Sequence, residues 1–537
     1  MLRGLLTVGG WTMVSRVLGL VRDQLIAAFM GAGPVADAFF VALRLPNLFR
    51  RLFGEGAFNA AFIPVFSGLL TSEGPDTARR FAEQAMSVLA FWLLLLTLAG
   101  EIFMPQVMHV LASGYARDPA KFALTVTLSR ITFPYLVLIC LAALVAGVLN
   151  GLDRFAAASG AYVLFNVVGI ASIFAFAPFT ATMGHALAWG VTISGVAQLG
   201  VLLWAARRAG MALHPPRPRL TPQMRLLMRR MVPGLIAGGV TQLNLVVDGW
   251  VGTMLPAGTV SLLYYADRVN QLPLGVLGAA VGTALLPVLS RQVLSGDTRA
   301  AADTQNRAIE YALVLTLPAA AALIATAGPV MAALFGRGAF SVADTQLSAQ
   351  SLAAYATGLP AFVLVKVLAP GFFARGDTAT PVRIGMACLA LNLALNLALM
   401  RPLQHIGPPL ATSIAATVNL VALGIALHRR GQLSPDRRLV SRAWRMALAT
   451  GIMVAALLAA RGLLPDGMAH GQLARLVSLA MLVATGMATY GLAAQALGLL
   501  RVQDAVAAVM RRMRRKDRQA RLGSAQTRKE SEDPLIP

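Results

Sequence analysis

Charge is what this sequence has least of. Only 13% of its 537 residues are Asp, Glu, Lys or Arg, while 57% are hydrophobic and the mean hydropathy is +0.68. A soluble chain carries about 25% charged and 45–50% apolar residues, so the excess here has to be covered by lipid. Cysteine is almost absent too. Cys140 and Cys388 each lie inside an apolar run, without metal-ligand spacing, and they say nothing of an oxidising compartment. The six histidines are scattered, with no His-x-x-x-His pair. No Walker, zinc or nucleophile-elbow motif occurs, and Gly31-Ala32-Gly33 is a turn rather than a nucleotide loop, because no strand precedes it. The alternating ten-residue segments of a membrane barrel are missing as well. These absences disfavour a soluble enzyme, a metalloprotein and a β-barrel. What is left is an all-α membrane protein.

The apolar residues fall into runs long enough to cross a hydrocarbon core, which takes about 20 helical residues. They predict fourteen transmembrane helices. The first run continues through Ser15, Arg16 and Arg22 with no small-residue exit, so it reads as a span rather than a cleaved leader. Two runs, 35–70 and 258–290, are too long for one straight crossing and hold Pro46, Pro64, Pro273 and Pro287, which predicts bends lining a cavity. Of the 46 Lys and Arg, 32 fall at the amino end, in the even-to-odd links and in the tail, against 6 on the opposite side. By the positive-inside rule both termini are cytoplasmic. The basic run from Arg511 to Arg521 suits an anionic leaflet better than RNA, so no nucleic-acid partner is expected.

An internal repeat runs through the chain. Ile63-Pro64-Val65-Phe66-Ser67 recurs as Leu286-Pro287-Val288-Leu289-Ser290, and Phe39-Phe40 recurs as Tyr264-Tyr265. Arg44 recurs as Arg268, Phe165-Asn166 as Leu391-Asn392, and Arg207-Arg208 as Arg429-Arg430, all at offsets of 222 to 226. Six spans repeated in the same orientation predict parallel lobes about an axis along the membrane normal, with a site between them. The expected organisation is a first lobe at 1–208, a basic linker at 209–230, a second lobe at 231–430, two extra helices in 431–500 and a basic cytoplasmic tail at 501–537.

Charges inside such spans are costly and usually face a cavity. Arg16 and Arg22 lie deep in the first span, where Arg16 shares a helix face with Asp23. The second span carries Asp37, then Arg44, Arg50, Arg51 and Glu55, and the eighth adds Asp267 and Arg268. Arginine suits a partly dry phosphate site, since it stays protonated and binds oxyanions through a planar fork. Singly, each arginine also reads as a snorkelling or packing residue. Lys366 lies mid-span and reads equally as a substrate contact or a paired lysine. Asp248, mid-span in the seventh run, and Asp377, after Gly376, are candidates for a coupling cation. A hydrogen-bonded buried aspartate and a turn are the competing readings.

These residues carry a resemblance. Ser15 through Asp23, Ala36 through Phe40, Leu45 through Phe58, Tyr264 through Arg268, and Lys366 through Phe372 are similar, in order and spacing, to the lipid II flippases of the MurJ family. The resemblance implies two six-helix lobes around a central cationic cavity, with two further helices forming a groove for a polyprenyl tail. It places the positions matching Arg16, Arg22, Asp37, Arg50, Glu55 and Arg268 in the cavity, the arginines toward a diphosphate. It further implies a transporter of the bacterial inner membrane that needs no cofactor, with the membrane potential or a monovalent ion as driving force. Expected partners are a polyprenyl-diphosphate sugar, membrane lipids and cell-wall synthesis proteins. A flippase for another polyprenyl-linked saccharide, a membrane glycosyltransferase and a non-transporting scaffold stay open as alternatives.

Overall fold

In lipid every backbone N–H and C=O must find its partner within the segment, and an apolar run answers that by coiling. The computed structural model describes residues 2–51, 57–463 and 471–499, which are helical with no strand among them. The first half of the chain holds α1 (Leu2–Met30), α2 (Pro34–Phe49), α3 (Ala57–Ser72), α4 (Pro75–Ile102), α5 (Met104–Leu111), α6 (Pro119–Thr132), α7 (Tyr135–Gly151), α8 (Phe155–Gly160), α9 (Val163–Ala175) and α10 (Met183–Arg208). The second holds α11 (Pro222–Thr253), α12 (Thr259–Leu294), α13 (Thr298–Leu334), α14 (Val342–Thr357), α15 (Leu359–Phe373), α16 (Ala379–Leu403) and α17 (Gly407–Arg429), followed by α18 (Arg437–Leu463) and α19 (Gln472–Ala496).

Local sequence sets the boundaries. Pro34 and Pro75 open α2 and α4, where a missing N–H costs nothing. Asp118, Thr221 and Asp297 accept from the backbone of the first turn of α6, α11 and α13, and Ser341 with Asp344 makes a capping box on α14. The two prolines of the long run 258–290 do not break it. α12 stays helical for 36 residues, about 54 Å at 1.5 Å per residue, longer than the hydrocarbon core. α13 does kink, at Thr326 (φ −115, ψ 16), three residues before Pro329, whose ring crowds the preceding turn.

Among the described residues nine stretches are long and apolar enough to cross a membrane. α1, α11 and α12 carry the charges singled out above. The apolar helices turn Phe91, Trp92, Leu94, Trp189 and Trp204 outward, as lipid-facing surfaces do, and the charged helices meet inside. The last two helices dock on α13. Tyr490 donates to the Val314 carbonyl at 2.7 Å, and the buried Glu310 is met by Arg307 of its own helix and by Arg438 and Arg442 of α18.

Candidate functional site

The charges of α1 and α12 converge on Asp23, whose side chain is wholly buried. Arg22 donates to Asp23 Oδ1 from Nε at 3.1 Å and from Nη2 at 2.7 Å, and Arg268 approaches Oδ2 with Nε at 2.7 Å. One carboxylate thus joins arginines from both halves of the chain. Tyr264 adds its hydroxyl to Oδ1 at 3.4 Å, and Arg22 lies 4.9 Å over the Phe165 ring. Packing holds the group in place. The Arg268 guanidinium rests on Gly19, where a Cβ would stand 2.5 Å from Nη2, and Asn166 donates to the Ser15 carbonyl at 2.9 Å beside it. Arg16, exposed, lies against α12 two turns further on, where a Cβ at Gly275 would stand 2.6 Å from its Nη1. A small cavity adjoins the cluster, lined by Arg22, Ile26, Phe39, Phe40, Phe165 and Tyr264 among others.

Asp37 is placed elsewhere. Its carboxylate accepts from Lys121 Nζ at 2.8 Å, from the Gly258 N–H at 2.7 Å, and from the N–H and hydroxyl of Ser261 at 2.9 Å each. It therefore caps α12 from the other half, with the favourable pole of the helix dipole added. The contacts around it close this end of the molecule, the end of the α1–α2 turn. Ala339 donates its N–H to the Ala28 carbonyl at 2.7 Å, Arg337 donates to Gln24 at 2.7 Å, and Trp250 donates to Ser113 at 2.9 Å. Phe40 stacks on Tyr264 with centroids 3.9 Å apart. Gly31, at φ +63, brings its backbone so near Ala339 that a Cβ would stand 2.5 Å from that carbonyl oxygen.

The other expected residues divide. Arg50 and Arg51 form a wide helical turn after α2, where Arg50 donates to Asn47 at 3.4 Å and Arg51 has no hydrogen-bond or ion-pair partner among the described residues. Glu55 lies outside the described residues. Lys366 is exposed on α15, and no hydrogen bond or ion pair among the described residues ties it to the arginine cluster. Asp248 accepts from Asn396 of α16 and Thr412 of α17 at 2.9 Å each, with Asn392 adjoining. Asp377 accepts from the Thr380 N–H at 2.9 Å and from Arg430 at 2.6 Å in the turn between α15 and α16. Hydrogen bonds from Thr380 and then Arg430 hold its carboxyl well below the usual carboxylate range. Among the described residues no three metal-ligating side chains cluster. Sequence reasoning missed the central place of Asp23, and it counted Lys121 only among the six cations of the opposite side, whereas Lys121 is 7% exposed and buried on Asp37.

Comparison with known proteins bears on the family and the fold. The family model for the lipid II flippase MurJ matches residues 26–484. A probable lipid II flippase MurJ of Rhizobium meliloti (strain 1021) is 45% identical over 491 residues, 90% of this chain and 91% of its own length. The lipid II flippase MurJ of Burkholderia cenocepacia is 37% identical over 438 residues, 81% of this chain and 85% of its own. Two solved structures share the fold. A lipid II flippase MurJ in an inward closed conformation matches with a TM-score of 0.74 at 22% identity, over 91% of this chain and 99% of that one. An inward-facing MATE transporter of the MOP superfamily matches at 0.64 and 13% identity, over 78% and 94%. This chain belongs to the MurJ family of lipid II flippases.

Proposed function

We propose that this chain carries lipid II across the bacterial inner membrane by exposing one interface between its halves alternately to the two sides. The observation that carries the reading is the buried Asp23 between Arg22 and Arg268, one arginine from each half. A carboxylate in that position stands where a diphosphate would. An arriving diphosphate competes with Asp23 for two planar forks, and Arg16 and Arg51, which have no ion-pair partner among the described residues, add charge without having to be freed first. Arg50, Glu55 and Lys366 complete the proposed substrate set, and Asp37 acts on the gate. No bond is made or broken, so the chain needs no acid, base or cofactor. A ligand drives such a cycle only by binding one state better than another, and two arginines that meet only when the halves close supply that difference.

The finer organisation belongs to the same proposal. Fourteen spans form two parallel six-helix lobes, 1–208 and 231–430, related by an axis along the membrane normal and joined by the basic linker 209–230. Both termini, with the tail 501–537, are cytoplasmic, so the end sealed by Asp37 faces the periplasm. In 431–500, α18 and α19 line a groove for the polyprenyl tail, because apolar carbon buried against desolvated arginines would waste both. Asp248, among Asn392, Asn396 and Thr412, offers oxygen ligands for a monovalent coupling cation, with the membrane potential as the other source of drive; Asp377 serves its turn. Lipid II loaded into proteoliposomes tests the central claim. Time-dependent transfer between leaflets that vanishes in Arg22→Gln and Arg268→Gln supports it. Transfer at the wild-type rate in both variants would sink it.

A further inference from the structure

Arg44 has an interface position and no acceptor among the described residues. It lies ten residues into α2, partly buried, and no hydrogen bond or ion pair from a described residue reaches its guanidinium. Its side chain crosses to the other half of the chain and lies flat on α11 at Gly249. A Cβ there would stand 1.9 Å from Nη1 and 2.3 Å from Cζ, so the seat exists only because residue 249 is glycine. Asp248 is the neighbouring residue, and the hydroxyls of Tyr115 and Tyr355, followed by the carboxylates of Asp37 and Asp248, act electrostatically on Arg44. A guanidinium taken out of water without an acceptor is expensive, and it persists where its charge is used.

The repeat identifies the use. Asp248 follows Asp23 by 225 residues and Arg268 follows Arg44 by 224, both within the offset band that relates the two halves. The two arginines are seated at different points relative to their aspartates. Arg268 of the second half lies on Gly19 of α1 and pairs with Asp23, four residues on. Arg44 of the first half lies on Gly249 of α11 beside Asp248. The first pair is in contact at 2.7 Å. In the second, Asp248 keeps its hydrogen bonds to Asn396 and Thr412 and meets Arg44 through its field alone.

We propose that Arg44 is a positioning residue, the repeat-related counterpart of Arg268, whose charge seated on Gly249 beside Asp248 holds the periplasmic end of the transporter shut. The inference rests on alternation between states but adds a second charged contact between the halves, distinct from the arginine site. Having no direct hydrogen bond to break, the contact releases readily. On opening, Arg44 returns to water while Asp248 keeps its donors on α16 and α17, so neither group is stranded.

The test reads closure rather than transport, so it stands apart from the fate of the lipid II reading. Ala28→Cys and Ala339→Cys, in a background of Cys140→Ser and Cys388→Ser, place two thiols across the closed end, where Ala339 N–H meets the Ala28 carbonyl. Oxidative cross-linking of the full-length protein in lipid vesicles then reports the closed fraction. Arg44→Gln and Asp248→Asn are each expected to lower the ratio of closed to open by roughly fivefold, and the double variant no further than the more affected single, as for residues that act on each other. Gly249→Ala keeps both charges but fills the seat and should match Arg44→Gln, while Arg44→Lys should recover part of the loss. Losses that multiply in the double variant overturn the proposal, as does unchanged cross-linking in Arg44→Gln. If Arg44→Gln fails to insert, Gly249→Ala decides, and unchanged cross-linking there overturns it equally.

Discussion

Asp23 holds two guanidinium groups by one carboxylate, so its loss differs in kind from the loss of either arginine. Asp23→Asn leaves Arg22 and Arg268 facing a neutral amide in a largely dry interface. Breaking a buried pair from one side costs about 3–5 kcal/mol, and since the Arg268 side chain is 32% exposed, about 2 kcal/mol is the loss expected here. Denaturant unfolding in detergent should show a midpoint shift of that size, larger than for Arg268→Gln, which leaves Asp23 still paired with Arg22. Transport should order the other way between arginine variants. Arg268→Lys keeps a charge without the fork and should retain a small fraction of the wild-type rate, whereas Arg268→Gln should retain none. The arginines were legible in the sequence because a charge inside an apolar run stands out against its neighbours. Asp23 was not, because a carboxylate following an arginine gives no sign of which distant arginine will meet it. Lys121 was missed for the opposite reason. At the edge of a run a lysine resembles a loop charge, and only the approach of α2 and α12 shows it to be the buried partner of Asp37.

Helices were the most legible elements, and their interruptions the least. The breaks between α4 and α5, α6 and α7, and α14 and α15 fall inside single apolar runs, where hydropathy carries no mark of them. The run with Pro273 and Pro287 stays one continuous helix, since neighbours in a membrane bundle can satisfy the carbonyls that a proline frees. The docking of α18 was invisible too, because it depends on where Glu310 lies rather than on any pattern near it. Glu310 is 2% exposed and gathers Arg307, Arg438 and Arg442, with Asp436 also on Arg307. Glu310→Gln would leave those guanidinium groups without their shared counter-ion. Because they are partly solvated, the expected loss is about 2 kcal/mol rather than the full cost of a buried unpaired charge. It should be local, loosening α18 from α13 before the rest unfolds. Limited proteolysis in the link 430–436 reads this directly. Cleavage should accelerate in Glu310→Gln and stay at the wild-type rate in Arg445→Gln, whose contact to the Leu497 carbonyl lies outside the cluster.

Over the whole molecule, orientation decides which compartment each end of the site serves. α11 runs 32 residues from Pro222 to Thr253, about 48 Å at 1.5 Å per residue, and so spans the bundle. Its first turn follows the exposed segment that holds Arg217, and its last turn packs against Gly114, beside the exposed Arg117. Positions 217 and 117 therefore lie at opposite ends of the molecule, and 117 shares its end with Asp37, Gly258 and the Ala28–Ala339 contact. Charge says which end is which. The segment around Arg217 belongs to the side that carries 32 of the 46 cationic side chains, and the segment around Arg117 to the side that carries 6. Membrane insertion retains the richer side in the cytoplasm. A membrane-impermeant thiol reagent added to intact spheroplasts should thus modify Arg117→Cys and leave Arg217→Cys untouched until the membrane is opened. Neither substitution removes a contact of the arginine site, so transport should persist in both and confirm that the labelled protein is native. The reverse labelling pattern would turn the molecule over. The closed end would then face the cytoplasm, and the assignment of Asp37 and the Ala28–Ala339 contact to the periplasmic end would be wrong.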